Sequence, residues 1–83
     1  MPLAWVLVNL ANAYRFLGKD DELLRTAEES YAQFKGALGE GHFSTVHPLA
    51  FIAYAKAIRG DADAEATARR AVAVILMSEF RMR

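Results

Sequence analysis

The 83-residue chain contains no cysteine. Disulfides, thiolate metal ligation and thiol catalysis are excluded together, so packing alone must hold the fold. Net charge is missing as well, because ten Lys and Arg offset ten Asp and Glu. No bulk field draws such a chain to a phosphate backbone or an anionic lipid surface, and neither nucleic acid nor membrane is expected as a partner. β-Branched residues are few, and no Asn-Gly or Asp-Gly hairpin turn occurs. Uninterrupted apolar runs such as Leu3 to Val8 and Ala71 to Met77 fall well short of the roughly 20 residues that cross a bilayer. Ala11-Asn12-Ala13 has the small-x-small look of a leader cleavage site, but no Lys or Arg precedes the first apolar run and Asn9 interrupts it. A cleaved leader is therefore not expected, and a soluble cytoplasmic protein is.

Alanine is what the chain has in excess. Sixteen are present, ten of them between Ala50 and Ala73, which favours helix and lets helices approach closely. The composition, 54% hydrophobic and 24% charged, is too apolar for disorder. A single domain this small buries only about 60% of its unfolded surface, so marginal stability is expected.

Gly18-Lys19-Asp20, Gly36 to Ser44 and Arg59-Gly60-Asp61 divide the chain into four helical stretches. The first covers about 2–17 and is apolar around most of its circumference. The second begins at Asp20-Asp21-Glu22, a cluster that suits an N-terminal cap and the helix dipole, and reaches about Leu38. Its stripe is Leu23 or Leu24, Ala27, Tyr31, Phe34 and Leu38, with Arg25, Glu28, Glu29, Gln33 and Lys35 in water. The third covers about 47–58, or starts as early as Ser44 and loses one hydrogen bond at Pro48. The fourth is capped by Asp61 and runs to about Phe80.

Displacing the chain by 42 residues brings Gly18 onto Gly60, Leu7 onto Leu49, Leu10 onto Ile52, Ala11 onto Ala53, Ala13 onto Ala55 and Phe16 onto Ile58. Two helical hairpins follow one another, repeat one at about 3–42 and repeat two at about 43–83, in one domain. Leu7-x-x-Leu10-Ala11-x-x-Tyr14 has the spacing of the tetratricopeptide signature. Asn9-Leu10-Ala11-Asn12-Ala13-Tyr14-Arg15-Phe16-Leu17-Gly18-Lys19 resembles the Asn-Leu-Ala-x-x-Tyr-x-x-x-Gly-Lys segment of kinesin-light-chain-like tetratricopeptide repeats, whose period matches the one found here. Leu38-Gly39-Glu40-Gly41-His42-Phe43-Ser44-Thr45 is similar to their Leu-Gly-x-x-His-Pro-x-Thr linker, with Phe43 in place of Pro. The second copy departs further, with Phe51 at the position of Asn9 and Lys56 at that of Tyr14. The resemblance implies an all-α fold of two tandem antiparallel hairpins, a fragment of a right-handed superhelix. It also implies that Ala64, Ala68 and Ala71 supply the small residues of the last helix, given a turn one residue shorter.

Proteins of that family generally hold a peptide or helix of another protein in a groove lined by the first helix of each repeat. Carried over by position, the groove face is Trp5, Asn9, Asn12 and Phe16 with Arg15 beside it, and His47, Phe51, Tyr54 and Ile58 in the second repeat. Asn9 matches the family's groove asparagine, whose amide both donates and accepts. Arg15 suits an acidic ligand group. An apolar stripe at helical spacing more often packs in a core than binds a ligand, so core is the first reading for Trp5, Phe16 and Ile58, and the groove the second. The binding residues expected are Trp5, Asn9, Asn12, Arg15, Phe51 and Tyr54.

Other chemistry finds little footing. His42 and His47 have only Glu40 nearby, an incomplete zinc set. Ser44 lacks a nucleophile-elbow setting and an orienting acid. Glu28-Glu29 and Asp20-Asp21-Glu22 read as a solvated face and a helix start, and Arg69-Arg70 with Arg81 and Arg83 as cations near a helix C-terminus. No catalytic residue, metal or cofactor is expected, and the chain is read as a non-enzyme. In the last helix Ala64, Ala68, Ala71, Val72 and Ile75 form one face, and Ala66, Ala73, Met77 and Phe80 the opposite one. An apolar outer face on a terminal helix implies a contact, so Ala73, Met77 and Phe80 are expected to meet a next repeat or another subunit. Two functions follow: a protein-interaction module that takes a protein or peptide partner, or a homo-oligomeric helical unit, or fragment of a longer repeat array, without its own groove.

Overall fold

The computed structural model describes residues 3–81, with side chains through Met77. Four α-helices make up the fold: α1 (Leu3–Leu17), α2 (Asp20–Leu38), α3 (Val46–Arg59) and α4 (Ala64–Arg81), with a 3₁₀ turn at Phe43–Thr45 before α3. No strand occurs among the described residues, and no helix there is long and apolar enough to cross a membrane. α1 packs on α2 and α3 on α4 as two hairpins, and α2 also packs on α3. α1 touches α3 lightly, whereas α2 and α4 keep their backbones apart and meet only through side chains.

The first helix of each hairpin ends in the same way. Gly18 at φ 72° and Gly60 at φ 77° take the left-handed conformation that L side chains avoid. The Gly18 amide donates to the Arg15 carbonyl and the Lys19 amide to that of Tyr14. The Gly60 and Asp61 amides do the same to Ala57 and Lys56. Both helices thus end in a Schellman motif, which satisfies carbonyls that the last turn leaves free.

Two capping expectations need correction. Lys19 is the N-cap of α2 and makes no side-chain cap, so Asp20, Asp21 and Glu22 act inside the first turn through the helix dipole alone. Asp61 does not cap α4 with its side chain. Its carbonyl accepts from the Ala64 amide at 3.2 Å, and its carboxylate lies 3.8 Å from Arg59. Helix α4 starts two residues later than a strict 42-residue displacement of α2 would start it. The second hairpin turn is therefore longer, not one residue shorter.

The linker is built around His42. Its Nδ1 accepts from the Ser44 amide at 3.1 Å, and its carbonyl accepts from the Thr45 hydroxyl at 2.7 Å. The imidazole is thus committed as a cap. Pro48 falls in the first turn of α3, where a missing N–H costs least, and is fully buried.

The core has two parts. Ala11, Leu23, Leu24, Ala27, Ile52 and Ala55 join the first three helices, with Tyr14, Tyr31 and Phe51 against them. Leu49, Ala71 and Val74 form a smaller cluster between α3 and α4. Leu38, expected on the inner stripe of α2, is 47% exposed at the helix end. The α4 face also differs from expectation. Thr67, Ala71 and Val74 are buried with Ala64 half-buried, while Ala68, Val72 and Ile75 are exposed. Counting alanines passes over Thr67, yet its hydroxyl donates to the Asp63 carbonyl at 3.1 Å and so enters the core without an orphaned polar group.

Ala11 has no exposed surface where α1 crosses α2, so Ala11→Leu should overpack the crossing and cost about 1–3 kcal/mol. In a chain this size that lowers the thermal midpoint by several degrees, at roughly 4–8 °C per kcal/mol. Ala32→Leu, on the exposed side of α2, should leave the midpoint in a circular-dichroism melt unchanged.

Candidate functional site

The first helices of the two hairpins lie side by side, so their facing residues form one surface. At one end Trp5 bridges three helices. Its ring meets Phe34 edge-on at 5.0 Å and His47 at 5.1 Å. Half-buried, it is an anchor of the seam rather than a free contact. Phe51 is likewise half-buried against the core cluster.

At the other end Arg15 joins α1 to α3. Its guanidinium carbon lies 4.6 Å from the centre of the Phe16 ring and 5.9 Å from that of Tyr54. Asn12 Oδ1 accepts from Arg15 Nε at 3.3 Å and from a terminal nitrogen at 3.0 Å. This arrangement fixes the fork of the guanidinium while leaving further N–H groups free. Among the described residues no carboxylate pairs with it. Asn9 is exposed on the same face, and Tyr54, Phe16 and Ile58 are exposed around it, Phe16 to 76%. The expected face is therefore brought together, divided into anchors (Trp5, Phe51), a held cation (Asn12, Arg15) and open surface (Asn9, Phe16, Tyr54, Ile58). No family model, curated protein or solved structure matches the chain.

The other residues singled out from the sequence have contacts of their own. His42 caps the linker, and His47 packs on Trp5. No group of three metal-ligating side chains occurs among the described residues. Ala73 and Met77 line a cavity of ≈ 190 Å³ whose walls include Tyr31, Glu40 and Leu49. They stand on the flank of α4 turned toward α2 and the linker, and Phe80 has its side chain outside the described residues.

Sequence reasoning missed the furrow between α2 and α4. Because the backbones of those helices stay apart, a cavity of ≈ 310 Å³ opens over α3, lined by Glu28, Tyr31, Leu49, Ile52, Lys56, Thr67 and Arg70. Arg70 laces its walls, donating to the Tyr31 hydroxyl at 2.8 Å and to Glu40 Oε1 at 3.4 Å. These residues lie far apart in the chain, so only the packing of α2 and α4 on α3 brings them together. At the other end of the furrow Lys56 Nζ donates to Asp63 Oδ2 at 2.6 Å. Its polar groups are largely spent on one another, which makes the furrow a structural lacing rather than an open binding site.

The hydrogen bond from Lys56 holds the Asp63 carboxyl below its ordinary range, with the Lys56 charge adding to the effect and desolvation opposing it. A carboxylate lowered on folding contributes stability above its unfolded value, near pH 3.9, and loses it as pH falls through the folded value. Asp63→Asn should therefore flatten the acid limb of stability against pH in urea titrations. Lys56→Met should flatten the same limb, and the double variant should add nothing further.

Proposed function

We infer that the α1–α3 face captures an acidic segment of a protein partner, and that the chain is a non-enzymatic interaction module of tetratricopeptide type. The observation that carries this reading is Arg15: a guanidinium pre-set by Asn12 and two rings, with no acid among the described residues to satisfy it. A cation held in one rotamer loses less entropy on binding a carboxylate than a free surface arginine does. Asn9, one turn before Asn12, offers a donor and an acceptor to a peptide backbone irrespective of sequence. Phe16, Tyr54 and Ile58 supply apolar area around the charge, the usual arrangement of a contact that combines affinity with orientation. The repeat, the glycine turns and the linker agree with the resemblance stated above, and the open hydrogen-bonding groups lie on the face that resemblance assigns to ligand.

Acidic peptides presented to the immobilised chain test the reading. Arg15→Ala should weaken binding by roughly tenfold or more, the equivalent of one charged hydrogen bond of about 1.5–3 kcal/mol. Asn9→Ala, at an exposed position, should weaken it less and leave the melting curve unchanged. Equal binding by wild type and Arg15→Ala would place any peptide elsewhere and remove the basis of the proposal.

A further inference from the structure

The two ends of the molecule carry complementary halves of a joint that the molecule already makes once inside itself. On α1 the residues Leu3, Val6, Leu10, Ala13 and Leu17 form one stripe and all are exposed. The 42-residue displacement takes the first four onto Thr45, Pro48, Ile52 and Ala55, and all four of those are buried. Ile52 and Ala55 share a cluster with Leu24 and Ala27, so this is the face that α3 lays on α2. The equivalence holds on the other side of the helix too. Ala4, Leu7 and Ala11, which α1 buries on α2, correspond to Val46, Leu49 and Ala53, of which Leu49 and Val46 pack with Ala71 and Val74 of α4. α1 therefore repeats α3 in both its faces, but only one of them is covered.

The receiving half recurs on α4. The Leu23 amide donates to Lys19 and the Thr67 amide to Asp63 in the first turns of α2 and α4, which sets their correspondence. Leu24, Glu28 and Tyr31, on the α3 side of α2, then match Ala68, Val72 and Ile75. These three are exposed, Val72 to 53% and Ile75 to 42%. The only charged member of the α2 set, Glu28, becomes Val72, so the α4 flank suits a drier contact than its internal counterpart.

We propose that α1 of a second copy of this chain docks on the Ala68–Val72–Ile75 flank of α4, as α3 docks on α2. The joint uses different surfaces on the two copies, so each bound copy leaves one half free at either end and association continues past the dimer. It is independent of the acidic-segment reading, since Arg15, Asn9 and Tyr54 lie outside both stripes.

Sedimentation equilibrium of the intact chain from micromolar to millimolar concentration tests this, together with Leu10→Glu and Val72→Glu. Both positions are exposed, and matching circular-dichroism melts establish that the variants fold. Leu3→Glu and Ile75→Glu serve the same purpose if either does not. The mass of the wild type should climb from 9.2 kDa past twice that value, and each variant alone should stay monomeric. Mixed in equal amounts, the variants should form a dimer and stop there, because each retains the half the other has lost. A wild type that stays monomeric throughout would overturn the proposal. So would a single variant that still associates, the mark of like faces pairing, or a mixture that does not dimerise.

Discussion

Three alanines without exposed surface, Ala11 on α1, Ala27 on α2 and Ala55 on α3, set how closely the first three helices approach. Each stands where a larger side chain would hold neighbouring backbones apart. With the helices this close, Leu23, Leu24 and Ile52 fill the remaining space. The hairpins are thereby fused through α2 and α3 instead of standing as two separate pairs. The second cluster, with Leu49, Ala71 and Val74, is small and depends on this one through Tyr31, which packs against both.

The geometry of the candidate site follows from the same approach. Only because α3 is drawn against α2 do its exposed residues line up with those of α1. Two contacts then tie the seam at its ends, Trp5 with His47 and Arg15 with Tyr54. The face is held by side chains that are also part of it, so its shape is set before any partner arrives. On the opposite side the same packing keeps α2 and α4 apart, and Arg70 spans the gap with hydrogen bonds to Tyr31 and Glu40.

Much of this was legible in the chain. The glycine turns, the four helices and the alignment of Ala13 with Ala55 follow from periodicity and punctuation, because a left-handed glycine and an apolar stripe leave direct traces in sequence. Buried hydroxyls do not. Ser30 and Thr45 lie fully inside, satisfied by the carbonyls of Ala4 and His42, and Thr67 decides the inward face of α4. Their burial depends on a partner carbonyl fixed by tertiary packing, which polarity-based reading misses. The longer α3–α4 turn escaped for a related reason: Asp61 and Asp63 look alike as caps until the backbone shows which one precedes the helix. The Arg70 lacing and the division of the α1–α3 face into anchors and open surface depend on contacts between hairpins, for which one sequence carries no signal.

The central claim is that the α2–α3 seam makes the two hairpins one cooperative unit. Native-state hydrogen exchange resolved by residue tests it most directly, at a concentration where the chain is monomeric. If the claim is right, the slowest amides of α1, α2 and α3 exchange with one common opening free energy equal to that of global unfolding, and those of α4 near Ala71 join them. A distinctly lower opening free energy for α3 and α4 together, with α1 and α2 still protected, would mean that the hairpins open separately, and would contradict it.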